Sequence, residues 1–277
     1  MIYLDGALIP RDQARIDVAD RGLLLGDGLF ETLRAYDGHP FRLADHLQRL
    51  GRAAAELGIP LPADMPDLAG AVDAVLDANR LLQGDAALRI TLTRGVGQRG
   101  LLPPADPAPT LMIAATAYHP PAAAAMSAVV VSIRRNEGSP LSRLKSLNYL
   151  DNVLAARDAA AQGADEAIML NNRGDAVCGA RSNLFALVED ILVTPPLADG
   201  ALGGITRHLV LEIARDLGLP AAERSLLPGD LDRAREVFLT NSLLEIMPVG
   251  RLGRRDLPER HVAARIKEHY RLLINPM

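Results

Sequence analysis

Leu141-Ser142-Arg143-Leu144-Lys145-Ser146-Leu147-Asn148-Tyr149-Leu150 holds one of only two lysines among the chain's 30 Lys+Arg residues. The other, Lys267, lies in Arg260-His261-Val262-Ala263-Ala264-Arg265-Ile266-Lys267-Glu268, a pattern that reads as a solvated helix face. Lys145 is set among leucines, just before a helix-like stretch. Arginine can replace lysine as a charge but not as a primary amine, because its guanidinium stays protonated where a desolvated lysine sheds its proton. Lys145 is therefore a candidate Schiff-base nucleophile. The plainer reading is a lysine that snorkels from a loop or pairs with Glu137 or Asp151. On these residues alone both stay open.

Composition narrows the rest. A chain of 277 residues, 49% hydrophobic, is globular and can bury a substantial core in one large or two modest domains. Net charge is −4 with acids and bases interspersed, so neither nucleic acid nor a membrane surface is the expected partner. Met1–Gly6 offers no basic segment leading into an apolar run, and no stretch reaches the length of a membrane span. The single cysteine, Cys178, fits a reducing compartment, and a cytoplasmic location is the expectation. The six histidines lack metal-ligand spacing.

Along the chain, Met1–Leu4 and Ala7–Pro10 read as strands around an Asp5-Gly6 turn. Gly28–Tyr36 alternates and stops at Asp37-Gly38, a hairpin signal. From Arg42, the spacing of Leu43, Leu47, Leu50, Ala54 and Leu57 is helical, ending at Gly58 and Pro60. Leu68–Ala78 is a second helix, and Ala87–Thr93 and Thr110–Thr116 are strands. The paired prolines and alanine run of residues 119–127 read as a linker between residues 1–118 and 128–277. Beyond it come a strand over Ala128–Arg134, a helix over Tyr149–Gln162, and strands at Asp165–Leu170, Ala176–Val177, Leu184–Val188, Ile191–Thr194 and Glu236–Thr240. A helix spans Ile205–Leu217. Hairpins mixed with single helices predict an α+β fold rather than a doubly wound sheet.

Gly95-Val96-Gly97-Gln98-Arg99-Gly100 matches a dinucleotide fingerprint but runs into Leu101-Leu102-Pro103-Pro104, which cannot open the required helix. It reads as a loop carrying Arg99. Gly203-Gly204-Ile205-Thr206-Arg207 opens a helix whose amides and threonine hydroxyl suit an anion, or is an ordinary helix start. Thr240-Asn241-Ser242 ends a strand with three polar side chains that grip an anion or turn a corner. Arg49 sits on the helix bearing the Leu43/Leu47/Leu50 stripe and either reaches inward to a phosphate or is solvated. An amine nucleophile, two anion-binding loops and an inward arginine together suit pyridoxal 5′-phosphate.

These stretches, with Asp27-Gly28-Leu29-Phe30-Glu31-Thr32, His46-Leu47-Gln48-Arg49-Leu50, Gly163-Ala164-Asp165-Glu166-Ala167, Ser182-Asn183-Leu184-Phe185, Thr194-Pro195-Pro196-Leu197 and Glu236-Val237-Phe238-Leu239, resemble the class IV, fold-type IV pyridoxal-phosphate enzymes. That group holds branched-chain aminotransferases, D-amino-acid aminotransferases and 4-amino-4-deoxychorismate lyases. The resemblance runs nearly end to end. It implies a homodimer whose subunits have a small N-terminal α/β domain and a larger C-terminal β-rich pseudobarrel domain, with the cofactor between them. It implies Lys145 as imine-forming residue and proton shuttle. Arg49, Gly204, the backbone of Ile205 and Thr206, and Thr240-Asn241 would hold the phosphate. Tyr149 would bond the ring hydroxyl, and Phe30 and Arg99 would meet the substrate, Arg99 through its carboxylate. A histidine that the D-amino-acid enzymes carry two positions further on is Leu101 here. The position that usually pairs a glutamate with the ring nitrogen is Cys178, and Asp175 lies too near the preceding turn to replace it.

The function implied first is amino-group transfer between an amino acid, of branched-chain or D type, and a 2-oxo acid. A lyase that eliminates pyruvate from aminodeoxychorismate is the alternative, since Arg94–Gly100 and Thr240–Leu243 look lyase-like while Asn148-Tyr149-Leu150 looks transaminase-like. A third reading is a cofactor-binding homologue with weak or no catalysis.

Overall fold

Asp5-Gly6 (φ 45° and 94°) and Asp37-Gly38 (φ 46° and 79°) each place two successive residues in the left-handed region. That geometry gives the tight hairpin turn whose twist matches its flanking strands. The first joins β1 (Ile2–Leu4) to β2 (Ala7–Ile9), the second β3 (Gly28–Tyr36) to β4 (His39–Pro40).

The computed structural model describes residues 1–61 and 68–274. The chain divides into two units, one of Met1–Pro120 with Leu144–Asn148, the other of Pro121–Arg143 with Tyr149–Met277. Lys145 thus belongs to the first unit, although the residues on both sides of its short segment belong to the second.

In the first unit, β5 (Asp85–Thr93) and β6 (Leu111–Ala117) complete an antiparallel sheet of order β2-β1-β6-β5-β3-β4. A five-residue helix, α1 (Arg21–Leu25), precedes β3. Helices α2 (Leu43–Leu57) and α3 (Leu68–Ala78) supply Leu50, Ala53, Ala54, Val72, Val75 and Leu76 to a core shared with Leu29, Leu33, Leu88, Ile90 and Leu92 of the sheet. Truncating a fully buried leucine such as Leu50 would cost about 2–5 kcal/mol. Gly58 ends α2 in the left-handed conformation. Side chains alternate along β3, so Glu31 shares the helix-covered face with Leu29 and Leu33, whereas Phe30 points the other way.

The second unit is a nine-stranded sheet. It comprises β7 (Met126–Arg135), β8 (Glu166–Asn171), β9 (Ala176–Gly179), β10 (Asn183–Val188), β11 (Ile191–Thr194), β12 (Ala221–Glu223), β13 (Glu236–Asn241), β14 (Glu245–Leu252) and β15 (Arg255–Asp256). Its main path is β12-β11-β10-β13-β14-β7-β8-β9. An Asn183–Cys178 bridge also pairs β10 with β9, so six strands from β10 round to β9 close on themselves as a barrel. Ile168, Leu184, Ala186, Val237, Leu239, Met247 and Val249 form one core. A second apolar layer holds Val131, Ala167, Met169, Val177 and Cys178 with Ala155 and Ala159 of α4 (Leu150–Ala161). Helices α5 (Ile205–Asp216), α6 (Pro228–Arg233) and α7 (His261–Ile274) complete the unit. No helix among the described residues is long and apolar enough to cross a membrane.

The strand expected from Ala128 starts at Met126, inside the stretch read as linker. Helix α4 begins at Leu150, with Tyr149 as its N-cap residue rather than its first turn.

Candidate active site

Lys145 is placed by β3. The turns of α1 and β3 leave the edge of Gly28–Phe30 free of β4, which pairs only with Ala35 and Tyr36. The lysine segment occupies that edge. Phe30 N–H donates to the Lys145 carbonyl and Leu147 N–H to the Gly28 carbonyl, both at 2.9 Å, with a Leu29–Ser146 bridge between them. Asn148 adds a side-chain bond to the Gly26 carbonyl at 3.0 Å. A side chain at residue 28 would meet the Leu92 carbonyl at 2.6 Å and Leu147 Cδ1 at 2.8 Å, so this close approach requires glycine. The Lys145 ammonium then lies 4.4 Å from the Phe30 ring centroid, and the Arg89 guanidinium 3.9 Å from the same ring.

Across β3, Glu31 is 1% exposed. Arg49 grips it through Nε at 2.8 Å and Nη2 at 2.6 Å, and His46 Nδ1 lies 2.7 Å from Oε2. Burial pushes the Glu31 carboxyl up, but the bonds from Arg49 and His46 outweigh it and hold it below the usual glutamate range. Burial pushes His46 down against the pull of Glu31, and the Lys145 charge adds to that fall. A neutral His46 facing an ionised carboxylate must donate from Nδ1. Arg49 thus reaches inward, its fork fixed by a carboxylate that sequence reading did not pair with it. The alternation of β3 and the His46/Arg49 spacing on α2 were the available signals.

In the second unit, Cys178, Asn183 and Thr240 form one row, because Asn183 is the cross-strand partner of both others. Paired side chains share a face. Asn183 donates to the Leu202 carbonyl at 2.8 Å, and a Cβ on Gly204 would lie 2.0 Å from its Oδ1. Asn183 therefore joins the row to the start of α5, whose N-cap Gly204 provides no side-chain cap. Gly204, Ile205, Thr206 and Thr240 are brought together in this way. Thr240 is fully buried, yet its Oγ1 has no hydrogen-bond partner among the described residues. The Asn241 side chain accepts from the Leu243 and Leu244 N–H groups of its own turn and donates to the Arg181 carbonyl.

Cys178 is buried, and burial followed by the Glu166 charge pushes its thiol up to about 11, with Arg135 opposing. It is a neutral thiol. Glu166 lies on the alternate face of β8 from Met169, the Cys178 partner, and accepts from Ala180 N–H at 3.0 Å. Burial raises its carboxyl. Asp175 is engaged by Asn171 and Arg173. Neither acid stands in the row. Arg99 is exposed, in the loop between β5 and β6 that opens into no helix. Tyr149 is half-buried.

The class IV aminotransferase profile matches residues 28–252. This chain belongs to the class IV aminotransferase family. The D-alanine aminotransferase of Staphylococcus epidermidis is 32% identical over 91% of this chain and 88% of its own. The aminodeoxychorismate lyase of Bacillus subtilis is 33% identical over 90% and 85%. The crystal structure of a branched-chain aminotransferase from Thermoproteus uzoniensis with norvaline superposes with a TM-score of 0.90 at 34% identity, over 99% of this chain and 94% of that one. The two-domain, fold-type IV expectation holds, with the barrel as its second part. Class IV aminotransferases depend on pyridoxal 5′-phosphate and act on amino acids and 2-oxo acids. The residues present fit that cofactor: the buried Thr240 hydroxyl, without a partner among the described residues, adjoins a helix start that has no side-chain cap, and both suit an anion.

Proposed function

We propose that this class IV aminotransferase is an amino-acid transaminase in which Lys145 is the amine nucleophile. The observation that carries the reading is the placement of Lys145 by Phe30, through a backbone bond and a ring contact. Pyridoxal 5′-phosphate supplies a carbonyl that carries nitrogen and a ring that accepts charge developing at the substrate α-carbon. Lys145 would take up and return the proton of that α-carbon. The amides of Ile205 and Thr206, the Thr240 hydroxyl and Arg49, oriented by Glu31, hold the phosphate. Tyr149 bonds the ring hydroxyl. Phe30 borders the substrate and Arg99 grips its carboxylate. Cys178 would stand at the ring nitrogen and, being neutral, would bring it no counter-charge. The chain works as a homodimer, which the exposure of Leu23, Leu24 and Leu25 on α1 supports.

Borohydride reduction of the yellow protein followed by peptide mapping tests the nucleophile. Label at Lys145 is expected, and label at Lys267 instead rejects the assignment. Lys145→Arg should fold and take no label, since its charge survives without the amine. The lyase reading keeps support from the Bacillus subtilis relative. Bleaching of the yellow band by alanine or a branched-chain amino acid marks transamination, whereas pyruvate and aminobenzoate from aminodeoxychorismate mark the lyase.

A further inference from the structure

We propose that Arg21 is a positioning residue that anchors the loop bearing Arg99 and so sets the geometry of the substrate-carboxylate contact. The idea rests on the reading of Arg99 given above. Arg21 is 4% exposed, at the start of α1, and its guanidinium addresses three successive carbonyls of that loop. Nη1 donates to Gly100 at 3.1 Å and to Leu102 at 3.3 Å, and Nη2 donates to Leu101 at 2.8 Å. Nε donates to Asp27 at 2.8 Å. Asp27 is held from its other side by Arg94 at 2.8 Å, and Arg94 donates onward to the Leu57 and Gly58 carbonyls at the end of α2. The anchor is thus tied into the core of its own unit.

The loop has little else to hold it. Gln98, Arg99 and Gly100 are exposed, and Leu101 and Leu102 are 82% and 88% exposed, so apolar packing within the subunit does not fix it. Its first half is tied to the same region, through Arg21 N–H to the Gly95 carbonyl at 2.9 Å and an Asp20–Val96 bridge. Gly97 lies against the Arg21 stem, where a Cβ would sit 2.6 Å from Cδ. Arg99 directly precedes the first anchored carbonyl. A planar fork can bond Asp27 and three carbonyls at once, whereas an ammonium is a compact charge with three donors. Ordering a backbone segment carries an entropic cost, so a loop that loses its anchor regains several accessible conformations.

Arg21→Lys is the test, with Gly97→Ala as a second perturbation that displaces the same side chain by a different route. Both are assayed as holoenzyme beside Arg99→Ala and the Arg21→Lys/Arg99→Ala double variant. Cleavage by trypsin after Arg99 reports the loop independently of any substrate. Expected are faster cleavage at Arg99, a KM for the amino donor raised about tenfold with kcat within about twofold, and no further rise in KM when Arg21→Lys is added to Arg99→Ala. Unchanged cleavage in both single perturbations overturns the anchoring role. A KM rise that adds to that of Arg99→Ala, or a fall in kcat with KM unchanged, overturns the link to Arg99. If Arg99→Ala itself leaves KM unchanged, the reading of Arg99 fails, and the positioning of a substrate contact by Arg21 falls with it whatever the cleavage rate.

Discussion

Phe30 holds Lys145 twice: its N–H donates to the Lys145 carbonyl at 2.9 Å, and its ring centroid lies 4.4 Å from the Lys145 ammonium. The backbone bond places the segment and the ring face steadies the head group, an attraction of about 0.5–2 kcal/mol.

Phe30→Leu should therefore separate these two contributions. It keeps the backbone bond and most of the apolar volume, and is expected to cost about 1–2 kcal/mol in urea unfolding. The first half-reaction should slow about tenfold, which corresponds to ~1.4 kcal/mol. Equal rates in rapid-mixing absorbance would deny the ring any part in placing the amine.

Glu31→Ala leaves the Arg49 cation and the His46 N–H without their shared acceptor in a buried site, a loss of about 3–5 kcal/mol. The pH dependence has a definite sign. Because Arg49 and His46 outweigh burial and lower the Glu31 pKa, its contribution is complete above the usual glutamate range and disappears as pH falls through the folded value. Glu31→Gln should flatten the acid limb of the stability curve measured by urea titration. An acid limb parallel to that of the parent would count against the assignment.

Cys178 gives the opposite limb. Its folded pKa, about 11, stands above the ordinary 9.0. Its contribution is complete below the ordinary value and is lost as pH rises through the folded one. Between them the unfolded chain sheds a proton that the folded apoprotein keeps, which lowers stability by at most about 2–3 kcal/mol. Cys178→Ala should remove that decline. In the holoenzyme, Cys178→Glu should quicken the half-reaction if this position meets the ring nitrogen, because an ionised partner strengthens the electron sink. No gain in rate, together with a carboxylate from elsewhere at that nitrogen, would relocate the contact.

Thr240→Val tests the unpartnered hydroxyl. Without cofactor the substitution should be neutral or stabilising, since it removes a buried polar atom that bonds to nothing described. Affinity for pyridoxal phosphate should fall about tenfold or more, in line with the roughly 1.5–3 kcal/mol of a hydrogen bond to a charged group. Apoprotein Tm and a cofactor titration read the two effects separately, and unchanged affinity would place the phosphate away from Thr240.

What was legible in the sequence was what short-range chemistry dictates. The Asp-Gly turns need positive φ at both residues, and α2 announces itself through a leucine stripe closed by Gly58. Lys145 stood out because an arginine-rich chain had kept an amine there. Hidden were relationships between distant residues that no spacing encodes. The five-residue α1 is too short for a periodic signal, so Arg21 passed unnoticed. The Glu31–Arg49 pair depends on which way β3 faces, and the barrel closes through the single Asn183–Cys178 bridge. Arg89 carries no signal beyond alternation, yet shares the Phe30 ring with Lys145.

The allegiance of Leu144–Asn148 to the first unit has a consequence for how the protein is made. Leu144 belongs to that unit's core, and Ser146 and Leu147 cover the strand edge at Gly28–Phe30. A nascent chain that has emerged only as far as Pro120 carries an unfinished hydrophobic centre and an open row of backbone donors and acceptors, the kind of edge that recruits other chains. The first unit to leave the ribosome must therefore wait for part of the second before its final structure is available, and a gene cut at residue 120 yields a fragment without its last seam.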